Sequence, residues 1–241
     1  MPDDNLPKRV LAVGAHPDDI EILCAGTMAL YAQAGSQVTL CTATNGDRGS
    51  MTGTPEETAA IRKAAAKNSA EIIGARYVCL DFHDCGLDGA SLEVRKTFID
   101  LIREVNPDVV FTHAPEDYHA DHLATSTHVW NATMIASVPL ERSEHPAVEH
   151  TVPVIYMDTL AGIGFTPDSY VDISSAFETK QAMLGCHASQ VVWMREQGGF
   201  DFEEFTQTVS RFRGFQSGTR YAEAFRYAHA WLRGTTRRLL P

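Results

Sequence analysis

The chain has 241 residues, and 20 Lys and Arg against 31 Asp and Glu give it a formal net charge of −11. That length suits a single α/β domain with a large buried core, and a composition of 44% hydrophobic and 21% charged residues excludes a disordered or fibrous protein. The acidic balance repels polyphosphate, so nucleic acid is not an expected partner.

Arg9–Gly14 reads as a first strand, followed by a nearly all-apolar helix over about 21–34 that stops at Gly35. Residues 37–42 form a second strand. Thr54-Pro55-Glu56-Glu57 then opens a helix with a Thr N-cap, a Pro in the first turn and Glu57 placed for a capping box, running to about Ile73 before Gly74. Residues 76–80 make strand three, and 91–105 an amphipathic helix ended by Asn106-Pro107. Residues 108–113 form strand four, 121–137 a helix, and 152–156 strand five. A polar loop covers 141–150, and 171–174 lead into a helix over about 175–185. Seven arginines (211, 213, 220, 226, 233, 237 and 238) fall in the C-terminal stretch and are expected on a solvated helical face, with an anionic contact as the alternative.

Strands alternating with helices predict an α/β, Rossmann-like fold, a doubly wound and mostly parallel sheet flanked by helices. We expect one domain over 1–241, with a core at 8–160 and a small C-terminal helical/β extension at 161–241. The five cysteines (24, 41, 79, 85 and 186) make no CxxC pair, which fits a reducing cytoplasm better than a disulfide framework. Residues 1–10 lack a signal-type apolar segment, and the apolar run at 22–32 is too short to span a bilayer. A cytoplasmic protein with no membrane insertion is therefore expected.

In a doubly wound sheet the ligand sits beyond the carboxyl ends of the strands, where the strand order reverses. With the order 3-2-1-4-5 that crevice lies between strands one and four. Two polar clusters begin there: His16-Pro17-Asp18-Asp19-Ile20-Glu21 and Glu116-Asp117-Tyr118-His119-Ala120-Asp121-His122. The first lacks the glycines of a dinucleotide loop. Asp18 and Asp19 could simply cap a helix, but the facing cluster of imidazoles and acids points to a metal. Two imidazoles and a carboxylate are the usual protein side of a catalytic zinc site, and they suit iron as well. The remaining carboxylate and imidazole are what metal-assisted hydrolysis requires as base and acid.

The sequences AHPDDIE and HADH together resemble the PIG-L/LmbE family of zinc-dependent N-acetylglucosaminyl deacetylases, and TNGDRG, GTPEETAAIRKAAA, HDCGL, VDISSAFETK, CHASQ and RYAEAFR extend the likeness over most of the chain. The resemblance implies a Zn2+ cofactor held by His16, Asp19 and His122. It makes Asp18 the general base and His119 the imidazole that stabilises the oxyanion and assists the departing amine, with Asp121 orienting it. Arg62 matches a substrate-contacting arginine, Arg48 is a looser candidate, and His187 would line the site mouth. Ala120 stands where the family often has Pro. The resemblance further implies a small-molecule substrate, an N-acetylated amino sugar conjugate, and a homo-oligomer, trimer or hexamer. A 2-His-1-carboxylate iron oxygenase is disfavoured by the alternation of strands with helices. A non-catalytic metal- or sugar-binding protein is disfavoured because metal storage needs neither Asp18 nor His119.

Overall fold

In the computed structural model, which describes residues 6–231 and 233–241, the apolar runs of the first half pair as parallel strands. β1 (Arg9–Gly14) lies between β2 (Gln37–Thr44) and β4 (Val109–Thr112), with β3 (Arg76–Phe82) outside β2 and β5 (Val154–Met157) outside β4. β7 (Ala222–Tyr227) runs antiparallel to β5, and β6 (Ser169–Asp172) antiparallel to β7, giving the order β3-β2-β1-β4-β5-β7-β6. The reversal falls between β1 and β4, as expected. The segment anticipated as a C-terminal extension contributes β6 and β7 to this same sheet.

Side chains alternate across the sheet, and both faces are covered. Val10 and Ala12 of β1 join a cluster with Met28, Tyr31 and Phe177, whereas Leu11 and Val13 join Phe98, Ile102 and Val129 on the opposite face. The first face is packed by α1 (Asp19–Leu23), α2 (Ala25–Gln33) and α6 (Phe177–Gly185), the second by α4 (Leu92–Val105) and α5 (Ala120–Ile135). α3 (Pro55–Ile72) carries the expected capping box at Thr54 and Glu57, and α4 ends on Asn106 in the left-handed region before Pro107. α7 (Ala188–Trp193) and α8 (Phe202–Ser217) complete the helices. No helix among the described residues is long and apolar enough to cross a membrane, and the five cysteines are free.

Two expectations are corrected. The helix predicted over 21–34 is two helices, broken at Cys24. Buried Lys180 donates to the Ile22 carbonyl (2.7 Å), and Glu223 accepts from the backbone N–H groups of Gly26 (2.9 Å) and Thr27 (2.8 Å). Both ends of the break are thus satisfied by residues from the C-terminal third. The basic tail is also not simply a solvated face. Arg213 is buried against Asp158, Arg233 is buried over the Trp130 ring, and Arg226 pairs with Glu116.

Candidate active site

β1 ends at Gly14, where a Cβ would come within 2.9 Å of the Asp19 Cβ, so only glycine lets the start of α1 fold back onto the strand. The intervening turn strains Asp18, whose φ is 132°. Asp18 occupies the N-cap position of α1, yet its side chain makes no capping bond. Its Oδ2 instead accepts from Arg62 Nη2 at 3.1 Å. The helix-cap alternative therefore does not describe Asp18. Asp19 points the other way, accepting from the His16 backbone N–H (2.6 Å) and lying 3.1 Å from His113 Nε2 and 3.4 Å from His122 Nε2.

Across the crevice, β4 runs into His113 and the loop to α5. His119 caps α5, its Nδ1 accepting the backbone N–H of Asp121 (3.2 Å), and His122 follows one turn later. The rings converge: His16 lies 4.7 Å from His119 and 5.3 Å from His122, and His113 stacks on His122 at 3.9 Å. Donor atoms form three overlapping groups, each within 4.8 Å: His16, His119 and His122; Asp19, His113 and His122; and His16, Asp84 and Asp121. The expected ligand trio His16, Asp19 and His122 is spread over the first two, which share His122.

The electrostatics are those of a site short of positive charge. Five carboxylates (Asp18, Asp19, Asp84, Asp117 and Asp121) and four imidazoles crowd a buried volume that holds Arg62 as its cation. Burial lowers the basicity of His122, but Asp19 and Asp117 outweigh it and push its pKa up to about 9. Asp121, Asp19 and Asp84 likewise raise His16 against its burial, and its neighbouring imidazoles depress Asp19 despite burial. Burial and the charges of His16 and His122 lower the basicity of His119. A divalent cation would take the place of the protons that these carboxylates otherwise retain on the imidazoles. The nitrogen and oxygen donors fit zinc or iron.

Burial drives the Asp18 carboxyl up to about 6, with Arg62 pulling it the other way.

The other expected site residues are placed as follows. The Asp121 carboxylate does not face His119; it accepts from the backbone N–H groups of Cys85 (2.6 Å) and Leu87 (3.2 Å) and lies 3.3 Å from His16 Nε2. Only its backbone N–H meets His119. Arg62 is 4% exposed and turned inward, donating to the carbonyls of Pro17 (2.8 Å) and Gly46 (3.2 Å) as well as to Asp18. His187 is 1% exposed, 3.2 Å from Glu21, and therefore lies beneath the site and not at its mouth. Arg48 is exposed on the β2–α3 loop. Sequence reasoning missed Asp84 and Asp117. Asp117 stands inside the second polar cluster, 3.0 Å from His122 Nδ1, and Asp84 inside HDCGL, 3.1 Å from His16 Nε2.

The profile of the family described as PIG-L, GlcNAc-PI de-N-acetylase, matches residues 11–133. The diacetylchitobiose deacetylase of Thermococcus kodakarensis is 30% identical over 234 residues, spanning 91% of this chain and 83% of that protein. The N,N'-diacetylchitobiose deacetylase of Pyrococcus horikoshii superposes with a TM-score of 0.81 at 27% identity, covering 92% of this chain and 84% of that one. GalB, the 4-carboxy-2-hydroxymuconate hydratase of Pseudomonas putida, has the same TM-score of 0.81 at 24% identity, covering 96% and 99%. That last likeness is one of fold alone.

Proposed function

The chain belongs to the PIG-L family of GlcNAc-PI de-N-acetylases, and from that premise we propose that it is a metal-dependent hydrolase that removes the N-acetyl group from an N-acetylglucosamine-type conjugate, with acetate as co-product. The observation that carries this reading is Asp18. It is a strained, buried carboxylate beside the imidazole cluster; it stands at the N-cap of α1 but its side chain makes no capping bond, and it belongs to none of the three donor groups.

His16, Asp19 and His122 would hold the ion, which when bound supplies Lewis-acid polarisation of the scissile amide and of water. The chain's own groups do the rest. Arg62 occupies Oδ2 of Asp18, so the proton of the attacking water is taken at Oδ1. A carboxyl with a pKa of about 6 is well matched to that task near neutral pH. His119 accepts the Asp121 N–H at Nδ1, which leaves Nε2 to carry the ring proton. There it donates to the amide oxygen as negative charge develops. The proton gained at Asp18 balances the one required by the departing amine. The same family premise carries a homo-oligomer, checked by a light-scattering mass above the 26.5 kDa of one chain.

The test is release of primary amine from N-acetylglucosamine, diacetylchitobiose and glycosidic N-acetylglucosamine conjugates, with zinc restored and then chelated. Wild type is expected to release amine only with metal. Asp18→Asn should bind as much zinc while its kcat falls about 10²–10⁴-fold. Absence of amine release from every conjugate overturns the reading. If Asp18→Asn loses zinc while Asp19→Asn retains it, the roles of the two aspartates are reversed.

A further inference from the structure

Tyr118 is a large side chain left in the open, 69% exposed, directly before the imidazole assigned to the amide oxygen. Single exposed apolar residues are ordinary and need no explanation. Tyr118 differs in where it stands and in how it is held. Of the four imidazoles, His16, His113 and His122 are buried and His119 is half-buried, so the crevice opens on the His119 side. The Tyr118 ring lies at that opening, edge-on to His119 with centroids 6.0 Å apart and edge-on to His122 at 5.9 Å.

The short loop that carries this ring is fastened through the residues just before it. Glu116 accepts from Nη2 of Arg226, on β7, at 2.7 and 2.5 Å, and Arg226 itself lies over the Phe165 ring. Asp117 is buried; its Oδ1 accepts the His119 backbone N–H at 3.2 Å and lies 3.0 Å from His122 Nδ1. The Asp117 backbone N–H donates to the Ala114 carbonyl at 3.3 Å. A ring on so constrained a loop loses little conformational freedom when a ligand meets it.

Inside the opening, the converging groups are carboxylates and imidazoles. They can meet hydroxyls and a carbonyl, but not the C–H face of a saturated ring. An aromatic face is electron-rich and complements the weakly positive C–H bonds on such a face. The same carboxylates disfavour an anionic ligand group, because five of them outnumber the charges of Arg62 and one divalent ion.

Resting on the deacetylase reading above, we propose that Tyr118 determines specificity: its exposed face is a platform for an uncharged six-membered polyol ring joined to the reacting N-acetylglucosamine unit. Conjugates that carry a second sugar or a cyclitol are then used in preference to those that carry an acyclic acid.

The experiment compares wild type, Tyr118→Ala and Tyr118→Phe, with zinc affinity measured by a chromophoric chelator to show that each site is intact. kcat and KM are measured on N-acetylglucosamine, on diacetylchitobiose, and on N-acetylglucosamine linked to a cyclitol or to an acyclic dicarboxylic acid. Wild type should have a higher kcat/KM on the two ring conjugates than on the acid conjugate. Tyr118→Ala should raise KM about 3–10-fold on the ring conjugates, the range for one aromatic contact, and leave kcat there and KM on the other two substrates unchanged. Tyr118→Phe should behave as wild type, because the ring and not the hydroxyl forms the platform. Unchanged KM on both ring conjugates in Tyr118→Ala overturns the proposal, as does an equal rise on every substrate. A loss of kcat, or a Tyr118→Phe variant as impaired as Tyr118→Ala, also overturns it and gives the side chain a part in the reaction itself. If wild type hydrolyses none of the conjugates, the functional reading fails. Calorimetric titration of zinc-loaded wild type and Tyr118→Ala with diacetylchitobiose then still decides the platform: weaker binding by the variant supports it, and equal affinity or no binding by either overturns it.

Discussion

His119 and Asp121 are two residues apart, and the structure gives them different work. The His119 ring is aimed by a backbone N–H, while the Asp121 carboxylate rests against His16. His119→Ala should therefore retain zinc and lose about 10²–10³-fold in kcat, the usual effect of deleting one oxyanion donor. Asp121→Asn should act on binding, weakening zinc about 10–100-fold because the imidazole loses its orienting charge. Equilibrium zinc titration alongside single-turnover amine release separates the two. Equal zinc loss in both variants would place His119 among the ligands, an arrangement that the first donor group also permits.

At the scale of elements, the break that keeps α1 short is held by distant side chains. One helix running through Cys24 would not leave the Ile22 carbonyl and the Gly26 and Thr27 N–H groups open to Lys180 and Glu223. Lys180 and Glu223 meet at 2.5 Å with both side chains buried. Glu223→Ala would leave the ammonium with a single carbonyl partner, and should cost about 3–5 kcal/mol in urea unfolding, as expected for a buried ion pair broken on one side. Replacing both, Lys180→Met with Glu223→Gln, should cost less than Glu223→Ala alone. α3 presents a smaller case. Its capping box is exposed, so Thr54→Ala should cost about 1 kcal/mol in the same measurement. The fork of Arg62, two turns further along that helix, should be undisturbed and kcat unchanged.

For the whole molecule, the seven-stranded sheet brings residues about one hundred positions apart into a single carboxylate-rich pocket. A cation that binds there only in the folded state stabilises folding by mass action. Zinc at one hundred times its Kd should add about 2.7 kcal/mol, which for a chain of this size raises Tm by roughly 5–10 °C. Differential scanning calorimetry with zinc and after chelation measures this. An identical Tm in both would mean that the cluster does not host the ion.

The sequence by itself determined the parallel half of the sheet, because strands buried on both faces are written as continuous apolar runs bounded by glycine, proline and capping residues. It also determined where to look for the site: the order reversal between β1 and β4 follows from chain connectivity, and the two polar clusters sit at the ends of those strands. The side-chain assignments that depended on direction were decided only by tertiary structure. Whether Asp121 faces His119 or His16, and whether Arg62 points out to a substrate or in to Asp18, depends on loops from β2 and β3 that close over them. The break at Cys24 and the inward turn of Arg213 and Arg233 were decided in the same way. In each case the deciding partner lies far along the chain, and a local pattern of residue types carries no information about which distant carbonyl or carboxylate will satisfy a buried charge.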